Sequence, residues 1–389
     1  MTYHGGSYGP PGISHPGGPP TSYPPTGYPA YPPGYPAPPV YPTPFTIAPG
    51  YGAPGYPPPG YRTPPAIKPG IVPLRPLSLS DMFNGAVAYI RANPQATLGL
   101  TTIVVVATQL LTLAVSLLPV TLTGQLDQAM EGDEPTAETV ISWVASGLTT
   151  TVAAFISAIL LSGLLTVVVG RAVFGSGITI GQAWRRLRPR LWALIGFTVL
   201  EVIGAVALVA AVVAVIVAIA AAVGGAVAFL AGASLVIALI AALIYLGTML
   251  TFVPAAIVLE RRDIISSVKR SFTLIKGDFW RVLGIRLLAM LAANLVAAAV
   301  GIPFSLSGQI TLTASASTSA AMIALVLFAV GGAIGQIITS PFSAGVVVLQ
   351  YTDRRIRSEA FDLVLQTGAA AGPAAPSDST DDLWLTRQS

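Results

Sequence analysis

Between residues 264 and 279 the apolar side chains Ile264, Val268, Phe272, Ile275 and Phe279 recur at steps of four, four, three and four, which places them on one face of a helix. Lys269, Arg270, Thr273 and Lys276 fall off that face. A helix divided in this way suits the plane of the lipid headgroups, with its bases directed at phosphate. The same register occurs 185 residues earlier at Leu79, Phe83, Val87, Ile90 and Pro94. A third copy, 88 residues before the first, holds Ile180, Trp184, Leu187 and Leu191. Arg91, Arg188 and Lys276 share one position of this register, and Gly99, Gly196 and Gly284 share another.

Each copy precedes a pair of apolar runs. Six runs reach the roughly 20 residues that a bilayer requires: about Thr97 to Pro119, Val140 to Gly170, Leu191 to Val223, Ala226 to Leu259, Val282 to Pro303 and Ala321 to Gln350. From Leu191 to Leu259 the only charge is Glu201 and the clearest break is Gly224-Gly225, so this stretch divides into two spans or three. Charge placement selects two, because positively charged loops stay in the cytoplasm. Six spans put all 20 Lys and Arg on one side or in the first turns of a span on that side; a seventh would put Arg261, Arg262, Lys269, Arg270, Lys276 and Arg281 on the other. The loop from Val120 to Thr139 carries Asp127, Glu131, Asp133, Glu134 and Glu138 without a base, and the loop from Ser305 to Thr318 carries no charge.

The pattern predicts an all-α integral membrane protein of six transmembrane helices over residues 74–365. They are arranged as three repeats of an interfacial amphipathic helix plus a helical hairpin, with both termini cytoplasmic. The competing account of the shared register is that any basic amphipathic segment before a span meets similar constraints. Composition agrees with the class: 53% of residues are hydrophobic, 9% are charged and the mean hydropathy is +0.73. There is no cysteine, hence no disulfide framework and no thiolate chemistry. The first residues lack the basic and apolar regions of a secretory signal, so the internal spans must drive insertion into the cytoplasmic membrane.

Residues 1–73 read differently. Residues 1–70 hold 23 of the 34 prolines and ten of the 13 tyrosines, with Arg62 and Lys68 as their only charges. Proline at that density denies the backbone helix and ladder hydrogen bonds, so a disordered Pro/Tyr/Gly-rich tail of polyproline II character is expected. It is either a docking arm for partner proteins or a solubilising spacer. Residues 366–389 are expected to form a second disordered tail.

The inventory of reactive groups argues against an enzyme. Both histidines, His4 and His15, lie in the tail, and no His or Lys lies in any span to activate a serine such as that of the FGSG at Phe174–Gly177. No phosphate-binding glycine loop ending in lysine occurs, and no cofactor, metal or nucleic-acid partner is expected. Glu201 is the sharpest single residue, because an ionisable group within a span is costly and by default functional. It lies 11 residues past Arg190, about 16 Å along a helix. It is either a proton- or cation-responsive carboxylate or a structural partner for Arg286, or for the amides of Asn294, Gln109 or Gln336. Gly331 and Gly335 form a GxxxG pair suited to close packing inside the bundle. Arg185, Arg186, Arg188 and Arg190, with Arg171, form an acid-free cluster, and Arg354, Arg355 and Arg357 form another. Together with Lys269, Arg270 and Lys276 they satisfy topology and are candidates for anionic lipid headgroups, at about 1 kcal/mol per surface base.

The segments RPLSLSDMFNGAVAYIRANP, ITIGQAWRRLRPRLWALIG, VLERRDIISSVKRSFTLIKGDFWRVLGI and YTDRRIRSEAFDLVL, behind a Pro/Gly/Tyr-rich tail, resemble the proline- and glycine-rich multi-pass membrane proteins of high-GC Gram-positive bacteria. These are similar in turn to the membrane domain fused to some glycerophosphodiester phosphodiesterases. The resemblance covers residues 74 to 365 and implies a location and a fold, not a reaction. Two functional classes follow: a membrane scaffold or accessory protein contacting anionic lipid and recruiting partners through its tail, or a transporter or channel using Glu201 as a mid-membrane polar site.

Overall fold

The computed structural model describes residues 70–73, 75–122, 137–315, 317–370 and 379–385. Most of the expected N-terminal tail, and the acidic stretch with Asp127, Glu131, Asp133 and Glu134, lie outside them. Among the described residues every regular element is helical: α1 (Leu79–Ala92), α2 (Pro94–Leu122), α3 (Ala137–Val173), α4 (Ile180–Leu187), α5 (Leu191–Val223), α6 (Gly225–Met249), α7 (Val253–Leu259), α8 (Ile264–Ile275), α9 (Phe279–Ala314), α10 (Thr318–Glu359), α11 (Phe361–Ala370) and α12 (Ser379–Asp382). Among these residues six spans are long and apolar enough to cross a membrane: α2, α3, α5, α6 continued by α7, α9 and α10. They form three hairpins, each preceded by one of the short helices α1, α4 and α8, as the periodicity predicts.

The short helices start at sequence-coded caps. Ser78 and Asp81 form a reciprocal capping box at α1, Thr179 and Gln182 form another at α4, and the Asp263 carboxylate accepts from the Ser266 N–H at α8. In the shared register Ser78 and Asp263 coincide while Thr179 falls one turn later, so α4 is the shortest of the three. The spans nevertheless begin at the same position in all units, at Pro94, Leu191 and Phe279. Trp192 and Trp280 each follow that start by one residue and are 81% and 80% exposed, the placement that tryptophan takes at a membrane surface.

The aligned glycines show how the units join. A Cβ on Gly99 would stand 3.4 Å from Cδ1 of Ile180, the first residue of α4, and one on Gly196 would stand 3.1 Å from Cδ1 of Ile264, the first residue of α8. Each hairpin thus seats the next unit's short helix at its base. The third link is missing, since nothing lies within 4 Å of a Cβ on Gly284, and Leu79 at the head of α1 stays exposed.

The core gathers around α10, which packs on α1, α2, α3 and α9. Contact with α1 is close because Gly345 lets the backbones approach: an added Cβ would meet Tyr89 Cε1 at 2.6 Å and Ala86 Cβ at 3.0 Å. The Tyr89 hydroxyl donates to the carbonyl of Pro341. The Gly331/Gly335 pair packs on α9 inside the bundle, 2.8 Å from Phe304 Cβ and 3.5 Å from Ala297 Cβ in the same sense. The hairpin α5/α6 behaves differently. No residue of α5 past Phe197 is buried, so most of that apolar surface is left for lipid.

Three expectations need correction. The most buried line of α8 is Ser267, Ser271, Leu274 and Ile275, with Val268 and Phe272 beside it, so the buried face is turned by about one residue toward the serines. The reason is the break between α6 and α7. Pro254 lacks an N–H, and the loosened turn is held by Ser271, whose hydroxyl donates to Met249 O at 2.5 Å and accepts from Phe252 N at 3.3 Å. The domain also starts before residue 74: Val72 is buried in the core, and Ile71 N donates to Ala172 O. The segment after 365 is not wholly a free tail either, because residues 366–370 continue α11 and Trp384 is buried, donating from Nε1 to Gly170 O at 3.3 Å.

Gly345→Ala forces a methyl group into Tyr89 and the α1 backbone and is expected to cost about 1–3 kcal/mol, read as a lower melting temperature in detergent. Gly284→Ala, which meets nothing, is expected to be neutral or stabilising by up to about 1 kcal/mol.

Candidate functional site

Two polar regions stand out, one inside the bundle and one at its basic end. The inner one begins at its open edge with Glu201, an exposed residue of α5 nine residues past Trp192 and so about 13 Å below the tryptophan level at 1.5 Å per residue. It lines a cavity of about 500 Å³ between α3, α5, α9, α10 and the α6/α7 break, within the usual size range of small-ligand sites. Arg286 lines the same cavity, donating from Nη1 to Gly247 O at 2.7 Å and to the Thr251 hydroxyl. Ser162, Thr166, Gln336, Thr339, Ser340, Ser343 and Gln350 add polar wall. Gln350 donates from Nε2 to Val282 O at 3.1 Å, while its Oε1 is buried with no hydrogen-bond partner among the described residues. Such an acceptor calls for a donor from water or ligand.

The structure therefore brings Glu201, Arg286 and Gln336 to one site and leaves Asn294 and Gln109 off its wall; Asn294 is exposed on α9. No ion pair joins Glu201 to a described residue, Arg286 included, so the two charges face one space without closing on each other. The hydroxyls on α10 are additions that a reading for charge misses. Their signal is nonetheless present, because Gln336, Thr339 or Ser340, Ser343 and Gln350 recur at helical spacing as a polar stripe in an apolar span.

At the basic end α10 outlasts the membrane. Its 42 residues extend about 63 Å, twice the hydrocarbon thickness of about 30 Å. The surplus turns, from Gln350 to Ile356, are fully buried among the other units. Glu260, wholly buried after α7, lies 2.6 Å from Arg262 Nε, 3.1 Å from Arg270 Nη2 and 3.6 Å from Arg355 Nε, and accepts from the Tyr351 hydroxyl. Glu359 joins Arg270 and Arg355. Burial works against the charge of Arg270, but the hydrogen bond to Glu359 and the charge of Glu260 outweigh it and hold its pKa above the ordinary arginine value. Asp353 accepts from Leu77 N at 2.8 Å and pairs with Arg281 at 3.2 Å and Arg357 at 2.9 Å. Arg354 reaches Leu274 O and Asp278.

The bases assigned to headgroups divide accordingly. Arg185, Arg188, Lys269 and Lys276 are exposed, Arg190 is half-buried, and none of the five has an ion pair to a described residue. Arg270 belongs instead to the Glu260 network, as does Arg355, while Arg354 and Arg357 are taken by Asp278 and Asp353. Arg186 lies 2.7 Å from Asp381. Among the described residues no three His, Cys, Asp or Glu side chains gather as a metal would require. The turn at Phe174–Gly177 is a helix end, with Gly175 at φ 75°.

Fold and site together define a helical multi-pass membrane protein with a polar intramembrane cavity and an ion-paired basic end. The chain belongs to the family described as domain of unknown function DUF7847, whose model matches residues 77–354. No curated protein and no solved structure matches it.

Removing the charge of Glu260 leaves Arg270 and the buried Arg355 to share Glu359 as their remaining carboxylate among the described residues. Glu260→Gln is expected to cost about 3–5 kcal/mol in detergent melts, whereas Lys269→Glu on the exposed side of α8 is expected to shift the melting temperature little.

Proposed function

We propose that this is a non-catalytic protein of the cytoplasmic membrane whose six-helix domain admits a small polar solute to the cavity beside Glu201 and Arg286, in the manner of a transporter or channel. The observation that carries the reading is the cavity wall. Opposite charges, amides and hydroxyls converge at a depth where hydrocarbon solvates none of them. A bundle that needed Glu201 only as cement would close it onto Arg286, and the carboxylate has no such bond. In this reading the basic end faces the cytoplasm and both termini lie there.

A second reading, a scaffold or accessory protein, is favoured by the exposed bases Arg185, Arg188, Arg190, Lys269 and Lys276. These would settle the basic end on anionic lipid while the N-terminal tail recruits partner proteins. The resemblance of the sequence to proteins that are similar to the membrane domain of some glycerophosphodiester phosphodiesterases is compatible with either reading.

The chain lacks cysteine, so single cysteines report access directly. At Ser315 a cysteine is expected to react with an impermeant maleimide on intact cells, and at Thr273 only after permeabilisation; the reverse order would overturn the orientation. Ser343→Cys is expected to react with a cationic water-soluble methanethiosulfonate, more slowly once Glu201→Gln is added, since the carboxylate attracts the reagent. An inert cysteine at Ser343 beside a reactive one at Thr273 means a dry cavity, and the solute reading then fails in favour of the scaffold.

A further inference from the structure

A second pocket, of about 360 Å³, opens at the basic end. It is lined by Arg171 from the end of α3, Arg185 and Arg186 from α4, Arg190 from the turn that follows, and Arg261 just after α7, against an apolar wall that includes Val258 and Leu259. Five arginines from three parts of the chain line it, with α4 packed on α3. Arg261 reaches the pocket from a backbone at φ 55°, a left-handed conformation that a non-glycine residue holds only when its surroundings enforce it.

Among the described residues the single acid on the pocket wall comes from far along the chain. Asp381 of α12 places Oδ1 3.2 Å from Arg171 Nε and Oδ2 2.7 Å from Arg186 Nε. Each carboxylate oxygen thus takes a different guanidinium, the pattern in which two arginines hold two oxygens of a phosphate. Asp382 adds a longer pair to Arg261 at 3.5 Å. Trp384 anchors the segment, stacking on Tyr351 and packing edge-on to Phe174. Among the described residues Asp381 and Asp382 engage Arg171, Arg186 and Arg261, while Arg185 and Arg190 line the same pocket with no ion pair to a described residue.

We propose that this pocket is a binding site for a phosphate ester, that Asp381 is its built-in occupant, and that the phosphate of an anionic phospholipid headgroup displaces the Asp381 carboxylate. Position favours the lipid as source. The pocket lies at the level where α5 begins, one residue before the exposed Trp192, so a headgroup reaches it while its acyl chains remain in the bilayer. The site is independent of the intramembrane cavity and rests on the proposed orientation only for the identity of the lipid leaflet.

The test uses the full chain in nanodiscs of phosphatidylcholine, with or without phosphatidylglycerol. Two readouts are taken: lipid retained in native mass spectrometry and hydrogen exchange of residues 379–382. Phosphatidylglycerol is expected to be retained and to speed that exchange. Asp381→Asn removes the competing charge and is expected to raise retention about tenfold, the effect of losing a charged hydrogen-bonded competitor. Arg185→Gln with Arg190→Gln leaves the Asp381 pairs in place and is expected to lower retention by a similar factor. Equal retention in wild type and the double arginine variant would overturn the site. Retention without faster exchange, or no response to Asp381→Asn, would overturn Asp381 as the occupant. Inorganic phosphate added to phosphatidylcholine nanodiscs separates the sources: the same change in exchange would support the phosphate site while overturning the lipid as its source. Failure of the cysteine at Ser343 to react has no bearing on these outcomes.

Discussion

Two carboxylates buried outside the membrane, Glu260 and Asp353, organise the basic end. Each is removed from water, a loss that is tolerable only if opposite charges and hydrogen bonds replace hydration. Glu260 gathers Arg262, Arg270, Arg355 and Tyr351, and Asp353 gathers Arg281, Arg357 and the backbone of Leu77. Those partners come from the entry to α1, from α8, from the start of α9 and from the overlong end of α10. Apolar faces in a bilayer have little preference for one another over lipid, so the hairpins need a directional device to fix their order. The ion-paired layer supplies it.

This layer also completes what the repeat leaves open. Gly99 and Gly196 receive the first residues of the following short helices, whereas Gly284 receives nothing. The third unit meets the first instead through Arg281, which donates to Leu77 O at 2.7 Å and pairs with Asp353. A chain of similar units is therefore joined twice by methyl against glycine and once by charge. The middle hairpin, α5/α6, keeps its outward faces for lipid, and its inner edge bounds the cavity that holds Glu201.

The two polar spaces differ in chemistry as well as depth. The inner one sets one carboxylate and one guanidinium against hydroxyls and amides within the span region, the arrangement on which the proposed solute reading rests. The outer one gathers five guanidiniums around Asp381, with Asp382 paired to Arg261 at its edge, the arrangement on which the proposed phosphate site rests. Local backbone breaks shape both: the turn between α6 and α7, where Thr251 N and Val253 N bond to Thr248 O and Leu250 O, leaves Gly247 O for Arg286 and Met249 O for Ser271, and the left-handed Arg261 follows α7 at the arginine cluster.

The sequence by itself determined the short amphipathic helices, the six spans and the three units. Periodicity, capping residues and bilayer length are properties of neighbouring positions and survive without any knowledge of packing. Even the closeness at Gly331 and Gly335 was legible, because small residues at that spacing permit one thing. Only the tertiary structure decided which charges stay exposed. Lys269 and Arg270 are adjacent in sequence, yet one faces outward and the other closes on Glu260, because α8 is rotated to lay Ser267 and Ser271 on the broken turn after α6. It likewise brought Glu201 to Arg286 and Asp381 to Arg171, pairs 85 and 210 residues apart. No local pattern encodes such meetings: an apolar helix face is satisfied equally by lipid and by many neighbours, and the choice among them is made by the few buried polar contacts that only one arrangement can satisfy.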